Sequence, residues 1–188
     1  MRIAISGPPG SGKTTICMLV ASRLEYDFVV VGQIFRQMAL ERRMNLETFG
    51  RLAEEDETID RELDKRMLEM AKARENIVIE GRMTGPILKS NKVPVFAVYV
   101  AASELVRAGR IAKREGKDIE FVLKEMQTRE RSEKKRYIAY YGIDPCERAI
   151  YDLWVDSSDL TADKVADMIV EKARRMDAED ACEVKAPH

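Results

Sequence analysis

Histidine is almost missing from this chain: the one imidazole belongs to His188, the last residue. A buried histidine base and a histidine-ligated metal are thereby excluded as the basis of function. Cysteine is scarce as well. Cys17, Cys146 and Cys182 are odd in number, far apart and form no CxxC pair, which favours reduced thiols in a cytoplasm over disulfides or zinc. No apolar run approaches the length of a membrane span and no signal-type segment precedes the first apolar stretch, so a cytoplasmic, membrane-free protein is expected. Charge of one sign is lacking too. With 32 basic and 33 acidic residues the net charge is −1, which gives no global pull toward nucleic acid or an anionic membrane. Internal repeats and low-complexity segments are absent, and no pattern speaks to oligomeric state. What remains is a chain of 188 residues, 45% hydrophobic and 35% charged, suited to one globular domain with a sizeable core.

The most informative feature present is Gly7-Pro8-Pro9-Gly10-Ser11-Gly12-Lys13-Thr14, a complete G-x-x-x-x-G-K-[ST] phosphate loop. It follows an apolar start, Ile3-Ala4-Ile5, and precedes the periodic run Ile16, Leu19, Val20, Leu24, which is the strand, loop and helix order the motif requires. Glycines let backbone N–H groups crowd the phosphates, and the helix begun near Lys13 turns its positive end toward them. Lys13 is expected to reach the β/γ-phosphates and the Thr14 hydroxyl to ligate Mg²⁺.

Apolar runs place strands at 2–6, 28–31, 76–79, 93–100 and 153–155, with helices between them. Residues 33–74 read as three helices broken at Asn45 and Asp56. Ser103 caps a helix that Gly116 ends, Asp118 caps the long helix after it, and Thr161 caps a last helix to about Arg175. Strands alternating with helices predict an α/β fold, a five-stranded parallel sheet covered on both faces. The acidic residues from 177 to 188 lack periodicity and are expected to be a frayed, disordered tail.

A phosphate loop is shared by GTPases, motor ATPases and kinases, so the rest of the chain decides the class. The nearest approach to a guanine-reading N-K-x-D is Asn91-Lys92-Val93-Pro94, which lacks the aspartate and stands before a strand. A small-molecule kinase needs instead a second anion pocket and a cationic lid. Gln33 and Arg36 follow strand 2; Glu80-Gly81-Arg82 ends strand 3. Ligands of a parallel sheet gather at these carboxyl ends. Glu80 is placed to hold Mg²⁺ through water, and Arg82 to fork onto an acceptor phosphate. Residues 107–136 are rich in Arg and Lys diluted by six acids, a composition that an ion-paired surface helix or a nucleic-acid patch would also show. The spacing adds something more specific. Arg129, Glu133 and Arg136 stand at i, i+4 and i+7, one helical face able to set arginines on phosphates and a glutamate on sugar hydroxyls.

Taken together, over roughly residues 1–175, these residues resemble the nucleoside monophosphate kinases, and most closely the archaeal-type cytidylate kinases. The resemblance rests on 7–15 (through Thr15), Gly32…Ile34-Phe35-Arg36, Glu80-Gly81-Arg82, Arg107…Arg110-Ile111-Ala112-Lys113-Arg114-Glu115-Gly116, Arg136-Tyr137…Tyr141-Gly142-Ile143-Asp144 and Ile150-Tyr151-Asp152-Leu153. It implies a three-layer α/β/α P-loop NTPase, residues 1–176, with a helical monophosphate-binding insertion at about 33–74 and a lid at about 110–136. The implied reaction is phosphoryl transfer from ATP to CMP or dCMP with Mg²⁺. Lys13, Arg110, Arg129 and Arg136 would be catalytic, and Gln33, Arg36, Gly81, Arg82, Arg129 and Glu133 would hold the acceptor. The family usually reads Ser-Ala-Gly-Asp where this chain has Val30-Val31-Gly32-Gln33, leaving the Gln33 amide to meet a base edge. The residues leave two alternatives open: an adenylate or other small-acceptor kinase, and a nucleotide-binding regulatory module with weak kinase activity.

Overall fold

A computed structural model of the chain describes residues 1–183. Its frame is a five-stranded parallel sheet in the order β2-β3-β1-β4-β5, formed by β1 (Arg2–Ser6), β2 (Asp27–Val30), β3 (Ile77–Glu80), β4 (Phe96–Ala101) and β5 (Leu153–Asp156). Alternation along the strands feeds two faces. Ile3, Ile5, Val78, Phe96, Val98 and Val100 point into one apolar layer, against Ile16 and Val20 of α1 (Lys13–Leu24) and Val165 and Ile169 of α8 (Ala162–Glu183). Ala4, Ile77 and Ile79 point the other way, toward Met67 and Ala71 of α4 (Glu57–Ala73) and Ile87 and Leu88 of α5 (Thr84–Ser90). The expected three-layer arrangement is therefore present. From β1 the chain crosses to the sheet edge for β2, comes back to lay β3 between β2 and β1, and then passes to the other side of β1 for β4 and β5. That reversal opens a crevice at the carboxyl end of β1, where the phosphate loop lies.

Between β2 and β3 stand α2 (Val31–Glu41), α3 (Leu46–Glu55) and α4, around Met38, Phe49 and Ile59. The breaks fall at the expected caps: Asn45 accepts from the Thr48 N–H at 2.8 Å and Asp56 from the Thr58 N–H at 2.9 Å. Beyond β4, α6 (Glu104–Glu115) ends at Gly116 in a left-handed turn, and Asp118 caps α7 (Ile119–Tyr141) by accepting from the N–H groups of Glu120 and Phe121.

Two sequence expectations are corrected, and one helix is added. Gly32 does not close β2. The helix α2 has already begun at Val31, so Gly32 and Gln33 lie in its first turn. Helix α5, between β3 and β4, has no bounds in the sequence reading, and it holds Gly85 and Pro86, which a helix interior disfavours. Both sit in the first turn, where a missing N–H costs nothing, and a Cβ on Gly85 would come within 3.2 Å of the Ala97 Cβ. The expected disordered tail is helix through Glu183, since Met176 still packs on the core and the alanines and glutamates that follow are good helix formers. The remainder of that stretch, 184–188, lies outside the described residues.

Phe96 is 1% exposed at the centre of the layer that carries α1. Phe96→Ala is expected to cost about 3–5 kcal/mol of unfolding free energy in a denaturant titration, and a loss below about 1 kcal/mol would show that this layer does not anchor the sheet.

Candidate active site

The loop after β1 is shaped by glycines at positions where a side chain has no room. Gly7 (φ 148°) has the Val100 carbonyl oxygen 2.3 Å from where a Cβ would stand, and Gly10 (φ 77°) has the Arg107 carbonyl at 2.7 Å. Gly12 then caps α1, so the free N–H groups of the first helical turn open onto the loop. Lys13 folds back over the loop: its Nζ donates to the Pro8 carbonyl at 2.7 Å and lies 3.9 Å from Glu80 Oε1. The Ser11 hydroxyl donates to the same carbonyl at 3.1 Å. The Thr14 hydroxyl donates to Glu80 Oε2 at 3.1 Å, because β1 and β3 are in register at Ile5 and Glu80. The Thr14 and Glu80 oxygens thus form a small oxygen-donor set at the loop, fit for a hard cation that keeps most of its waters.

Burial dominates the electrostatics of Lys13. At 7% exposure its ammonium loses hydration, and its pKa falls from 10.5 to about 7; Arg82 pushes further down, while Glu80 and Glu133 oppose. Glu80, the last residue of β3, faces both Lys13 and Thr14, so the loop and the β3 terminus meet at one carboxylate.

On the outer side of the loop, Gly10 to Ile16 line a cavity of about 350 Å³ together with Arg110, Ile111, Arg114, Ser157, Leu160 and Ala162. Thr14 and Thr15 belong to this wall. Arg110 enters it with its Nη1 on the Ser157 hydroxyl at 3.2 Å and its Nη2 on the Ser157 carbonyl at 2.7 Å. Ser157 in turn donates to the Ser11 carbonyl at 3.0 Å. Arg114 belongs to the expected lid; sequence reading missed Ser157, Leu160 and Ala162 here, and the available signal was the carboxyl end of β5, where ligands gather in such sheets.

The inner wall comes from β3 and α7. Glu133 is buried and holds two guanidiniums, Arg82 Nε at 2.9 Å and Arg129 Nε at 2.8 Å. Arg136 reaches across to the β2–β3 helices, donating to Asp60 at 2.7 Å and to the Ala53 carbonyl at 3.1 Å. Arg82 Nη1 and Arg136 Nε are buried donors with no hydrogen-bond partner, a sign of an anion wall with spare capacity. Gly81 is needed beside it, since a Cβ there would stand 2.5 Å from the Thr84 hydroxyl. The expected stripe of Arg129, Glu133 and Arg136 is thus assembled with Arg82. Gln33 and Arg36 are exposed at the start of α2 and make no hydrogen bond or ion pair among the described residues. Asp60 and Asp64 were not foreseen. Burial raises both carboxyls, Asp64 to about 6, where the Tyr141 hydroxyl donates to it.

A doubly covered parallel sheet with this loop at its switch point, a lysine and threonine behind it and an arginine wall in front defines a P-loop kinase. Solved structures share the fold: shikimate kinase from Acinetobacter baumannii with shikimate (TM-score 0.62, 18% identity, 93% of each chain) and a gluconokinase from Sinorhizobium meliloti (TM-score 0.61, 16% identity, 98% of this chain and 97% of that one). At this identity they speak for the fold alone. The model of the cytidylate kinase-like family matches residues 2–159. The chain is 42% identical over 170 residues to the cytidylate kinase of Archaeoglobus fulgidus, covering 90% of this chain and 93% of that one. To the cytidylate kinase of Methanocaldococcus jannaschii it is 44% identical over 159 residues, 84% and 89% of the two chains. The protein belongs to the cytidylate kinase-like family, and as a kinase it uses ATP and nucleotide substrates. No helix among the described residues is long and apolar enough to cross a membrane.

With Lys13 near 7, the unfolded chain holds a proton that the folded one has lost between pH 7 and 10.5, so the free protein gains stability as pH rises through that window. A bound polyphosphate favours the ammonium. ATP binding at pH 8 is therefore expected to take up close to one proton, falling toward zero at pH 6 and absent in Lys13→Met. Calorimetry in buffers of differing ionisation enthalpy measures it; binding without proton uptake at pH 8 contradicts the buried, neutral lysine.

Proposed function

We propose that this protein catalyses reversible, Mg²⁺-dependent phosphoryl transfer from ATP to the phosphate of CMP, and of dCMP, giving ADP and CDP or dCDP. The observation that carries the reading is the pair of donor walls that meet at the end of β3: the loop with Lys13 beside Glu80 on one side, and Arg82, Glu133 and Arg129 on the other. A phosphate in each would be brought within transfer distance with most of its charge met by fixed donors.

The acceptor oxygen is already ionised at neutral pH, so the reaction needs no general base, in keeping with a chain whose one histidine is its last residue. A bond forms between that oxygen and the γ-phosphorus as the bond to the β–γ bridging oxygen breaks, and ADP leaves with the electron pair. The loop from Gly7 to Thr15 wraps the β/γ end, with the N–H groups of Gly10 to Thr15 and the Lys13 side chain as its donors, since Pro8 and Pro9 have no N–H. The Thr14 hydroxyl and, through water, Glu80 would hold Mg²⁺, which supplies charge neutralisation on the same oxygens. Arg36 and Arg82 orient the acceptor phosphate. Arg110, Arg129 and Arg136 neutralise the group in flight, Glu133 meets the sugar hydroxyls, and the Gln33 amide meets the base. The 1–176 unit works as one kinase domain, with 33–74 closing on the acceptor and 110–136 as the lid, in a cytoplasmic setting. Closure excludes water and so protects ATP from idle hydrolysis.

Two measurements test this. With ATP and Mg²⁺, ADP release is expected with CMP and dCMP and not with UMP, AMP or GMP; turnover confined to AMP would reassign the acceptor. Lys13→Ala is expected to lower kcat by about 10²- to 10⁴-fold, and near-normal turnover by the folded variant would remove the assignment.

A further inference from the structure

The mechanism gives Arg107 no task, yet it is the most deeply enclosed arginine of the site, 4% exposed. It stands on α6 one turn before Arg110, and its guanidinium turns inward. Nε donates to the Ala102 carbonyl at 3.0 Å, and Nη1 to the Pro9 carbonyl of the phosphate loop at 3.2 Å. Nη1 also lies 3.3 Å from Met126 Sδ, and both terminal nitrogens meet the Glu130 carboxylate on α7. Its own carbonyl presses on the loop where a Cβ at Gly10 would stand, 2.7 Å away.

A packing duty does not call for this residue. A buried arginine–glutamate pair loses hydration on both sides, and an apolar pair of similar volume holds helices together as well or better. What the guanidinium adds is fixed, planar geometry toward two particular partners. One is a carbonyl inside the phosphate loop. The other is a carboxylate flanked on α7 by Arg129 and Glu133, which form the acceptor wall. Donor and acceptor sites are thereby tied through one side chain.

We infer that Arg107 is a positioning residue of the phosphoryl transfer: through Pro9 and Glu130 it sets the separation between the phosphate loop and the acceptor-bearing helix α7. The inference rests on the kinase reading above. Reaction in line is steep in that separation, since a misplacement of about 1 Å can cost about 10²-fold in rate.

The test uses Arg107→Lys, Glu130→Gln and the double variant of the full chain. It measures melting temperature, kcat and KM with ATP and whichever monophosphate the wild type uses, and ATP hydrolysis without acceptor. Glu130→Gln is close to isosteric and partly exposed, so it keeps the test open where Arg107→Lys fails to fold. The expected result is a fall of about 10- to 100-fold in kcat for transfer, with acceptor-free hydrolysis reduced by less than about threefold. ATP then partitions toward water. The double variant should be no more than about threefold worse than the poorer single variant, because both changes cut one link. A folded variant whose transfer kcat falls less than tenfold, whatever its melting temperature, overturns the positioning role and leaves a packing strut. A wild type silent with every monophosphate overturns the kinase reading itself, and this role with it.

Discussion

A lysine amine buried without a full countercharge is the constraint around which the site is arranged. Lys13 has lost most of its hydration, sits on a neutral carbonyl, and shares its surroundings with the cations of Arg82 and Arg107. Glu80 and Glu133 offset only part of this. Such a centre is costly to hold in a low-dielectric interior and is relieved by a polyanion. The fold exists in large part to keep that tension in place: the glycine turn after β1, the register that sets Glu80 beside Ile5, and α1 with its free N–H groups aimed at one point.

The acceptor wall obeys the same logic with a different device. Glu133 pairs with both Arg82 and Arg129, and it is the half-buried Arg82 that this contact holds in place, Arg129 standing largely in solvent. The Asp60–Arg136 pair does likewise between α4 and α7, and the Ser132 hydroxyl donates to Glu54 at 2.9 Å beside it. On the proposed function, an acceptor phosphate would replace a carboxylate with a stronger anion, and Arg82 Nη1, buried without a partner, would receive it. Preorganised arginines need little rearrangement when the phosphate arrives, which is where most of the rate is gained in phosphoryl transfer.

The parts legible in the sequence were those whose chemistry is local. The phosphate loop, the caps at Asn45, Asp56 and Asp118, and the Arg129–Glu133–Arg136 stripe all depend on residues within a few positions of one another. What escaped depends on distant parts of the chain. Arg136 and Asp60 are 76 residues apart and Ser157 and Ser11 are 146 apart, and nothing local to either partner announces the pairing. Helix α5 carries little local signal: it is seven residues long, and Gly85 and Pro86, disfavoured in a helix interior, are acceptable only because they fall in its first turn. The last helix outran its expected end because Met176 still had core to cover. Gln33 and Arg36 are the reverse case, foreseen from their place after β2 yet standing exposed on the first turns of α2.

The proposed transfer requires two phosphate sites that face each other. Its most direct test is the affinity of a single molecule in which adenosine and cytidine are joined by five phosphates. If the loop and the arginine wall are one preorganised cradle, that compound binds about 10²- to 10⁴-fold tighter than ATP alone, by making the second contact intramolecular. Binding no tighter than ATP would mean that the two walls do not act on one pair of substrates.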